Sequence, residues 1–561
     1  MKKIHYETDL CVVGGGMAGI CTALSAARHG IKVVLLQDRP VLGGNASSEI
    51  RMWIGGARGD NVRETGILEE IVLENFYTNP GLKFPLWDMT LFSVVKGNPN
   101  ITLLLNSSVL DAECENNRIK SVTAWQSNAE TFHIVSAKYF ADCSGDSILA
   151  PLTGAEYRYG RESKKDFDET VPPEVSDGKT MGMSCLLQIR ETDHPVKFIK
   201  PDWAYTYETD DDLPGKNHEL HNNFWWIEVG GEWDCIHDSD RCRDECLKIA
   251  YGVWDHMKNR EDHGIDNWEL EWIGMLPGKR ESRRYIGEHT VTQKEIEAGG
   301  KYKDTVAFGG WPMDNHPPAG FYYHGEPSIC YPVPSPWGLP LRCMISKNIK
   351  NLTFAGRNIS ITHAGLSSSR VMGTCAVLGQ GLGTALAQAI NEEKDIREID
   401  VEVLKQSLLQ DDCLIPGETR KVSNLCKNAI CNAPVVLNGI ERGDENLWIG
   451  KKGDFIEYQF DKEIRINSIR LVFDSFLNRK YYNMPCRFLI DEKDFHIPET
   501  LIKSYKIIGF NDSEKEFVLS VENNHQRFVT TTVDWNISRI RFIPIETYKD
   551  ESFKVFNFEV N

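Results

Sequence analysis

The stretch Asp9-Leu-Cys-Val-Val-Gly14-Gly-Gly16-Met-Ala-Gly19 is the most informative segment of this sequence. Its apolar run ends at Val13, as a parallel strand buried on both faces requires, and an alanine-rich helical segment follows the glycines. In the pattern Gly-x-Gly-x-x-Gly, the first glycine permits a tight turn and the second lets a diphosphate approach the backbone. The third lets the helix pack against the strand, and the helix N-terminus supplies N–H donors. The stretch therefore predicts a dinucleotide-binding unit.

A second buried strand follows at Ile31-Lys-Val-Val-Leu-Leu36. The end of this strand commonly carries an acidic residue that binds the adenosine ribose. Here the position has the sequence Gln37-Asp38-Arg39. We predict that Gln37, Asp38 or both meet the ribose hydroxyls, and that Arg39 faces the adenine or the phosphates.

The next segment, Leu42-Gly-Gly-Asn45-Ala-Ser-Ser-Glu49, resembles the FAD-dependent oxidoreductases of the glutathione-reductase-type fold. Within them it is similar to the bacterial branch related to fumarate-reductase flavoproteins. Two further pieces share this resemblance: the strand and turn from Tyr139 to Asp146, and the late strand and turn from Phe354 to Asn358. The resemblance covers about residues 1–395 and implies FAD rather than NAD as the cofactor.

The resemblance and the glycine pattern together predict the cofactor-binding residues. These are Gly14, Gly16, Met17, Ala18, Gly19, Gln37, Asp38, Arg39, Gly43, Gly44, Asn45, Ser47, Gly145, Asp146, Gly356, Arg357 and Gly373. A second glycine-rich run, Gly379-Gln-Gly381-Leu-Gly383, has no strand before it and lies in a helical pattern. We interpret that run as small residues that let a helix pack closely, so no second nucleotide site is predicted.

Three residues are candidates for the chemistry: His316, His363 and Arg370. Flavin chemistry needs a group that handles a proton and a group that stabilises negative charge, and histidine titrates nearest neutral pH. His316 lies in a proline-rich segment that predicts a rigid loop, whereas His363 and Arg370 open the last helix of the flavin unit. The alternatives are a core histidine for His363 and a structural ion pair for Arg370.

A further set of residues is predicted to bind the substrate: Glu49, Arg51, Arg280, Trp311 and Asp314. Arg280 belongs to the charged run Lys279-Arg280-Glu281-Ser-Arg283-Arg284, which is typical of a solvated helix face. The alternative is recognition of a carboxylate or of dense hydroxyls by arginine. Tryptophans concentrated between Trp203 and Trp272 could stack on sugar rings or fill the core.

The net charge, the apolar runs and the cysteines of the chain disfavour several classes of function. The chain has 561 residues and a net charge of −18, which disfavours binding to nucleic acid or to an anionic membrane. We expect no membrane span and no secretion signal, because no apolar run reaches the necessary length. The 15 cysteines contain no Cys-x-x-Cys pair. They predict mostly free, buried thiols in a cytoplasmic protein, and no metal site.

The pattern changes after about residue 415, where apolar residues begin to alternate with polar ones, as at Ile456, Tyr458 and Phe460. This alternation predicts an antiparallel β-sandwich at 421–561. The segment from Val436 to Phe460 resembles the opening of discoidin-type, galactose-binding-like domains. This domain either binds a glycan or serves packing or dimerisation, and both roles are equally open.

The predicted domain order along the chain is a Rossmann-type FAD part (1–150), an inserted substrate region (151–345), the return of the flavin domain (346–418) and the sandwich.

We therefore expect an α/β flavoprotein that acts on a small polar organic substrate and exchanges electrons with an external partner. A sugar-derived hydroxyl or keto group is the preferred substrate. Reduction of an activated C=C bond in a carboxylate is the first alternative, and a flavin-holding protein without activity is the second. Whether the chain forms a homo-oligomer is left open.

Overall fold

The structure is a computed structural model that describes the whole chain except residues 214, 217, 219, 221–222, 261–262 and 480–495. The described residues form two compact units. The first contains Met1–Ala57 and Gly81–Ile399. The second contains Arg58–Pro80 and the described residues from Asp400 to Asn561. Residues 58–80, which the sequence analysis placed in the N-terminal part, thus group with the C-terminal residues; the predicted domain boundaries stay predictions.

The helices alternate with strands through the first half of the chain. The α-helices are α1 Met17–Arg28, α2 Ile67–Thr78, α3 Phe84–Lys96, α4 Leu149–Thr153, α5 Lys164–Phe167, α6 Ser239–Asn259, α7 Gln293–Glu297, α8 His363–Ser369, α9 Met372–Asn391, α10 Val401–Gln410 and α11 Asn424–Asn428.

The strands fall into one mixed sheet, several short pairs and one large antiparallel sheet. They are β1 Lys2–Val13, β2 Val33–Leu36, β3 Ile101–Leu104, β4 Ser107–Glu115, β5 Arg118–Gln126, β6 Thr131–Asp142, β7 Tyr157–Arg158, β8 Met183–Ser184, β9 Leu187–Glu191, β10 Glu228–Val229, β11 Trp268–Ile273, β12 Gly278–Lys279, β13 Arg284–Tyr285, β14 Thr305–Gly309, β15 Met313–Asn315, β16 Ile329–Tyr331, β17 Trp337–Pro340, β18 Leu352–Phe354, β19 Ile430–Cys431, β20 Trp448–Gly450, β21 Ile456–Phe473, β22 Ile502–Phe510, β23 Glu516–Val521, β24 Phe528–Thr547 and β25 Phe553–Val560.

The first sheet is built around β1, which runs parallel to β2 on one side and to β6 on the other. Its order is β3-β2-β1-β6-β5-β4, and β18 pairs with β6 beyond the point where β5 ends. Val13 lies opposite both Leu36 and Asp142, so the carboxyl ends of the central parallel strands meet at one edge. Ligands of open α/β sheets bind at this edge. The predicted Rossmann-type sheet is confirmed.

Helix α9 packs closely against α1 because small residues face the contact. A Cβ atom on Gly379 would lie 2.2 Å from the carbonyl oxygen of Ala18, and one on Gly383 would lie 2.4 Å from that of Thr22. The predicted packing role of this glycine run is confirmed.

The inserted region has its own apolar core around α6. Buried side chains from β8, β9 and β10, together with Phe224 and Trp226, pack on Val253 and Trp254 of this helix. The region therefore has a hydrophobic core of its own outside the parallel sheet.

The second unit is an antiparallel β-sandwich, with strand order β20-β25-β21-β24-β22-β23. Residues 456–473, which the alternation divides into three short strands, form the single strand β21. Register shifts between Gln459 and Ile464 and between Ile466 and Ser468 interrupt its pairing with β24. Such irregularities bend long strands, and buried side chains of β21, β22, β24 and β25 pack together in one apolar core.

Helix α2 carries a buried acid, Glu69, that is bound within the second unit. The guanidinium group of Arg479 donates to both carboxylate oxygens of Glu69, at 2.9 Å for Nη1 to Oε1. Burial favours the protonated acid, but the positive charge of Arg479 outweighs it and lowers the pKa of Glu69. The pair fixes α2 in the C-terminal unit.

In the part of the chain that the structure describes, no helix has the length and apolar character needed to cross a membrane. All 14 described cysteines are free and most are buried, as predicted; Cys486 lies outside the described residues.

Candidate functional site

The glycine loop at the end of β1 combines two close contacts with one open position. Gly14 has φ +101°, and a Cβ atom there would lie 2.6 Å from the Cys143 backbone. A Cβ on Gly19 would lie 1.8 Å from the carbonyl oxygen of Gly14. At Gly16, by contrast, the nearest atom to a Cβ would be the Cα of Gly44, at 3.9 Å. The loop is therefore packed on its protein side and open at Gly16, beside the N-terminus of α1, where Met17 and Ala18 begin the helix.

Gln37 holds the glycine loop in place. Its Oε1 accepts from the N–H of Gly15 at 2.7 Å, and its Nε2 donates to the carbonyl oxygen of Val41 at 3.0 Å. The second hydrogen of the amide group stays available for a hydroxyl group. Asp38 is exposed, and Arg39 donates to Glu49 at 3.2 Å.

The turn after β2 lies directly against the glycine loop. The N–H of Gly43 donates to the carbonyl oxygen of Gly15 at 2.8 Å, and both Gly43 and Gly44 have positive φ. Ser47 closes the turn by donating to the carbonyl oxygen of Gly44 at 2.7 Å. The Nδ2 atom of Asn45 donates to the carbonyl oxygen of Lys279 at 3.1 Å. The structure thus brings the predicted residues of both segments together.

A charged network follows β6. Asp146 accepts from Arg357 at 2.8 Å and from Lys279 at 2.7 Å. Burial opposes ionisation of Asp146, but these two cations outweigh it and lower the pKa of the carboxyl. The Arg357 guanidinium lies over Gly145, where a Cβ atom would come within 2.6 Å of its Cζ. Gly356, with φ +115°, lets the chain turn just before that arginine.

The predicted last helix is interrupted: α8 ends at Ser369 and α9 begins at Met372, with Val371 extended between them. At this break the N–H of Gly373 donates to the carbonyl oxygen of Gly55 at 2.8 Å. Three buried polar atoms around the break have no hydrogen-bond partner among the described residues: Ser369 Oγ, Arg370 Nε and Thr374 Oγ1. In the turn after β18, Arg357 Nε and Asn358 Oδ1 are buried in the same state. Buried polar groups are normally satisfied, so these atoms fit a polar ligand at this place.

His363 is the first residue of α8 and is fully buried. Its Nδ1 lies 3.0 and 2.9 Å from the two carboxylate oxygens of Glu281, and its Nε2 lies 3.2 Å from Oδ1 of Asn315. The carboxylate orients the ring and favours a proton on Nδ1.

His316 is also buried and lies between two acids. Its Nδ1 lies 2.6 Å from Oε2 of Glu228, and its Nε2 lies 3.3 Å from Oδ2 of Asp314. The Trp225 ring packs edge-on against the imidazole, with centroids 5.4 Å apart. His316 thus has a carboxylate partner on each ring nitrogen.

Two arginines neutralise these acids. Arg370 donates to Oδ2 of Asp314 at 2.9 Å, and Arg280 lies 3.3 Å from Oε2 of Glu228. Burial opposes ionisation of Asp314, but His316 and Arg370 hold the pKa of that carboxyl well below its usual range. In the same way Arg280 and His316 outweigh burial and lower the pKa of Glu228 to about 2. Arg370 thus forms the ion pair that was the structural alternative to its predicted catalytic role, and that role stays a prediction.

The charged run at 279–284 is not a solvated helix face. Arg280, Glu281, Ser282 and Arg284 are buried, and the run joins β12 to β13. The expectation fails because each buried charge has a distant partner, such as Glu162 for Arg284. The proline-rich segment also differs from the predicted loop, since residues 313–315 form β15 and pair with β16.

The structure separates the predicted substrate residues. Asp314 and Arg280 lie in the histidine cluster, and the Trp311 carbonyl accepts from Ser368 of α8. Glu49 instead pairs with Arg39, and Arg51 packs over the Trp272 ring at 4.2 Å. The prediction that these last two reach the substrate gains no support from their described contacts.

Three side chains of the cluster are absent from the predicted site: Glu228, Glu281 and Asn315. Glu281 and Asn315 directly adjoin predicted residues in the sequence, so they could have been considered. Glu228 stands in a tryptophan-rich segment without a motif and gives no such signal.

Most of this chain matches a known family. The family model "FAD dependent oxidoreductase" matches residues 9–408, so the chain belongs to that family of flavoenzymes and its cofactor is FAD.

The individual relatives are more distant. Glycerol-3-phosphate dehydrogenase 2 of Mycobacterium tuberculosis is 38% identical over 74 residues, 13% of each chain, and the fumarate reductase (cytochrome) of Shewanella frigidimarina is 50% identical over 42 residues, 8% of this chain and 7% of that one. The chain thus spans about an eighth of the length of the first curated relatives. Among solved structures, a fucose binding module of Streptococcus pneumoniae covers 25% of this chain and 98% of its own, with 10% identity and a TM-score of 0.18.

Proposed function

We propose that the chain oxidises a hydroxyl group of a small polar substrate, with a sugar-derived alcohol as the preferred class. The observation that supports this most directly is that two buried histidines, His363 and His316, meet at the segment 314–316. His363 contacts Asn315, and His316 contacts its neighbour Asp314. Each histidine also has its own glutamate.

His363 is the proposed base. Glu281 lies at Nδ1 and favours the proton there, so Nε2 carries the lone pair. A substrate hydroxyl that displaces the Asn315 side chain, now 3.2 Å away, can donate its proton to Nε2. A positioned base of this kind contributes ~10²–10⁴-fold to rate. His316, held between Glu228 and Asp314, is proposed to orient the substrate or to serve as the alternative base.

The arginines favour oxidation of a neutral hydroxyl over reduction of a carboxylate-bearing alkene. A carboxylate substrate needs a cation that is free to bind it in a forked geometry. Arg370 and Arg280 are already paired with Asp314 and Glu228. The Nε–H of Arg370 has no partner among the described residues and cannot form a fork by itself. It is proposed to stabilise negative charge on the substrate oxygen, while Nη2 keeps Asp314 ionised.

The open space at Gly16, the turn at Gly43–Ser47 and the polar atoms around the α8–α9 break are proposed to hold FAD. When bound there, FAD would accept the hydride, and an external partner would then take the electrons. Asp146 and Arg357 keep the turn after β6 in place beside it. The remaining predicted cofactor contacts stay predictions.

The C-terminal sandwich is proposed to bind a glycan or to mediate self-association, and the two roles stay open. A reducing, cytoplasmic location is also proposed, because the described cysteines form no disulfide.

Anaerobic stopped-flow reduction of the flavin tests the proposal. A panel of monosaccharides and their alditols is mixed with the parent protein, and bleaching of the flavin bands is followed. We expect at least one hydroxyl compound to bleach the flavin, and H363Q to slow that step ~10²–10⁴-fold with FAD still bound. H194Q, which changes an exposed histidine, is the control.

Equal rates for H363Q, H316Q and the parent would remove histidine as the base. If no hydroxyl compound bleaches the flavin but fumarate reoxidises the dithionite-reduced protein, the chain is a reductase of activated C=C bonds instead.

A further inference from the structure

Four metal-ligating side chains converge in the inserted region, among residues that the proposed oxidation does not use. They are Asp210, His218, His256 and His263, and one potential ligand atom from each lies within 4.8 Å of all the others. Asp210 lies in a short 3-10 turn, His256 on the last turns of α6, and the other two in loops. Two stretches of chain, 210–218 and 256–263, therefore meet at this point.

The hydrogen bonding of His256 leaves one ring nitrogen directed into the cluster. Its Nδ1 lies 3.1 Å from the carbonyl oxygen of Tyr207, which can only accept, so Nδ1 carries a proton. Its Nε2 then faces Oδ1 of Asp210 at 2.9 Å and Nε2 of His263 at 3.3 Å. Metal-bound histidines typically donate their other N–H to a backbone carbonyl in this way.

The distances between these atoms fit a single tetrahedral ion. Ligand atoms ~2.1 Å from a zinc ion at tetrahedral angles lie about 3.4 Å from one another. Oδ1 of Asp210 lies 3.4 Å from Nδ1 of His218 and 3.9 Å from Nε2 of His263. Nε2 of His218 is buried without a hydrogen-bond partner among the described residues, so no such bond holds that ring elsewhere.

We propose that Asp210, His218, His256 and His263 bind one divalent transition-metal ion, with zinc as the expected occupant. Three imidazole nitrogens and one carboxylate oxygen suit zinc, whereas magnesium and calcium prefer all-oxygen sites. Four protein ligands fill the tetrahedral positions, so the ion is structural and ties the segment around 210–218 to the end of α6.

No metal site was predicted for this chain. The four ligands extend from position 210 to position 263 without a short metal-binding motif. Only the folding of the chain around α6 brings them together.

Zinc binding by the full-length holoprotein tests the proposal. The protein is treated with EDTA, freed of chelator and titrated with ZnCl₂, and bound zinc is measured by mass spectrometry of the metal. X-ray absorption at the zinc edge then identifies the ligand atoms. We expect one zinc per chain, with nitrogen and oxygen neighbours at ~2.0 Å and no sulfur shell at ~2.3 Å.

H218Q, H263Q and D210N should each lower the zinc affinity at least ~10-fold while the flavin content stays that of the parent. D210N keeps the assay interpretable if the histidine variants misfold, because Asp210 is exposed. H237Q, which changes an exposed histidine paired with Asp234, should bind zinc like the parent. Less than ~0.1 zinc per parent chain, a sulfur shell, or unchanged affinity in folded D210N would each overturn the assignment.

Discussion

Replacing Gly16 should separate binding of the cofactor from stability of the fold. Gly16 has ordinary extended backbone angles, φ −71° and ψ −179°, so an L-residue fits there without strain. A Cβ atom would have its nearest protein neighbour at 3.9 Å. G16A should therefore leave the unfolding free energy of the FAD-free protein within ~1 kcal/mol of the parent, and the bulkier G16V should do nearly the same.

The same substitutions should impair FAD binding, because the added atoms enter the space that the glycine pattern leaves for a diphosphate. We expect G16V to weaken FAD at least ~10²-fold, which corresponds to about 2.7 kcal/mol, and G16A to weaken it less. Calorimetric titration of the deflavinated protein with FAD gives the affinity, and thermal melts of the same samples give the stability.

Gly19 provides the matched control. A Cβ on Gly19 would lie 1.8 Å from the carbonyl oxygen of Gly14, so α1 must move away from β1. G19A should thus destabilise the FAD-free protein by ~1–3 kcal/mol or more. If G16V keeps the parent affinity for FAD, or is as unstable as G19A, the open position at Gly16 is not the diphosphate site.

Two further outcomes follow from buried charges. Truncation after residue 418 should give an aggregating chain rather than a stable flavin core, because it removes Arg479 and leaves Glu69 of α2 unpaired. Breaking such a buried pair costs ~3–5 kcal/mol of stability. Gel filtration of the truncated chain measures the aggregation. The pKa of Glu228 is lowered to about 2 in the folded protein, against an ordinary 4.5. Its ionised carboxylate therefore stabilises the fold by ~3 kcal/mol above pH 4.5, and this contribution is lost as the pH falls toward 2. The difference in melting temperature between the parent and E228Q should therefore shrink on acidification, and a pH-independent difference would contradict that assignment.

Local pattern was sufficient for the flavin unit. Continuous apolar runs and glycine spacing predicted the end of β1, helix α1 and strand β2 to within a few residues, because a buried parallel strand and a diphosphate loop impose short-range requirements. The long strand β21 was divided because charged residues such as Asp461 and Lys462 interrupt its apolar alternation.

Residues whose partners are distant in sequence could not be predicted in this way. Helix α2 groups with the C-terminal unit through contacts such as Glu69 with Arg479, more than 400 positions away. The histidines of the candidate site were predicted from their chemistry, but their glutamate partners were not. A charged side chain is expected at the surface unless its ion-pair partner is known, and only the folded structure identifies that partner.

The burial of the charged run at 279–284 supports its assignment to the candidate site. A buried ion pair is weak evidence for stability, since well-packed apolar residues of similar volume often do as well or better. Stability alone therefore gives no reason to place Arg280 and Glu281 in the interior. Both side chains instead contact groups of the histidine cluster, Glu228 and His363. A low-dielectric surrounding strengthens the effect of each charge on a proton held by a histidine, and the proposed oxidation requires such an environment.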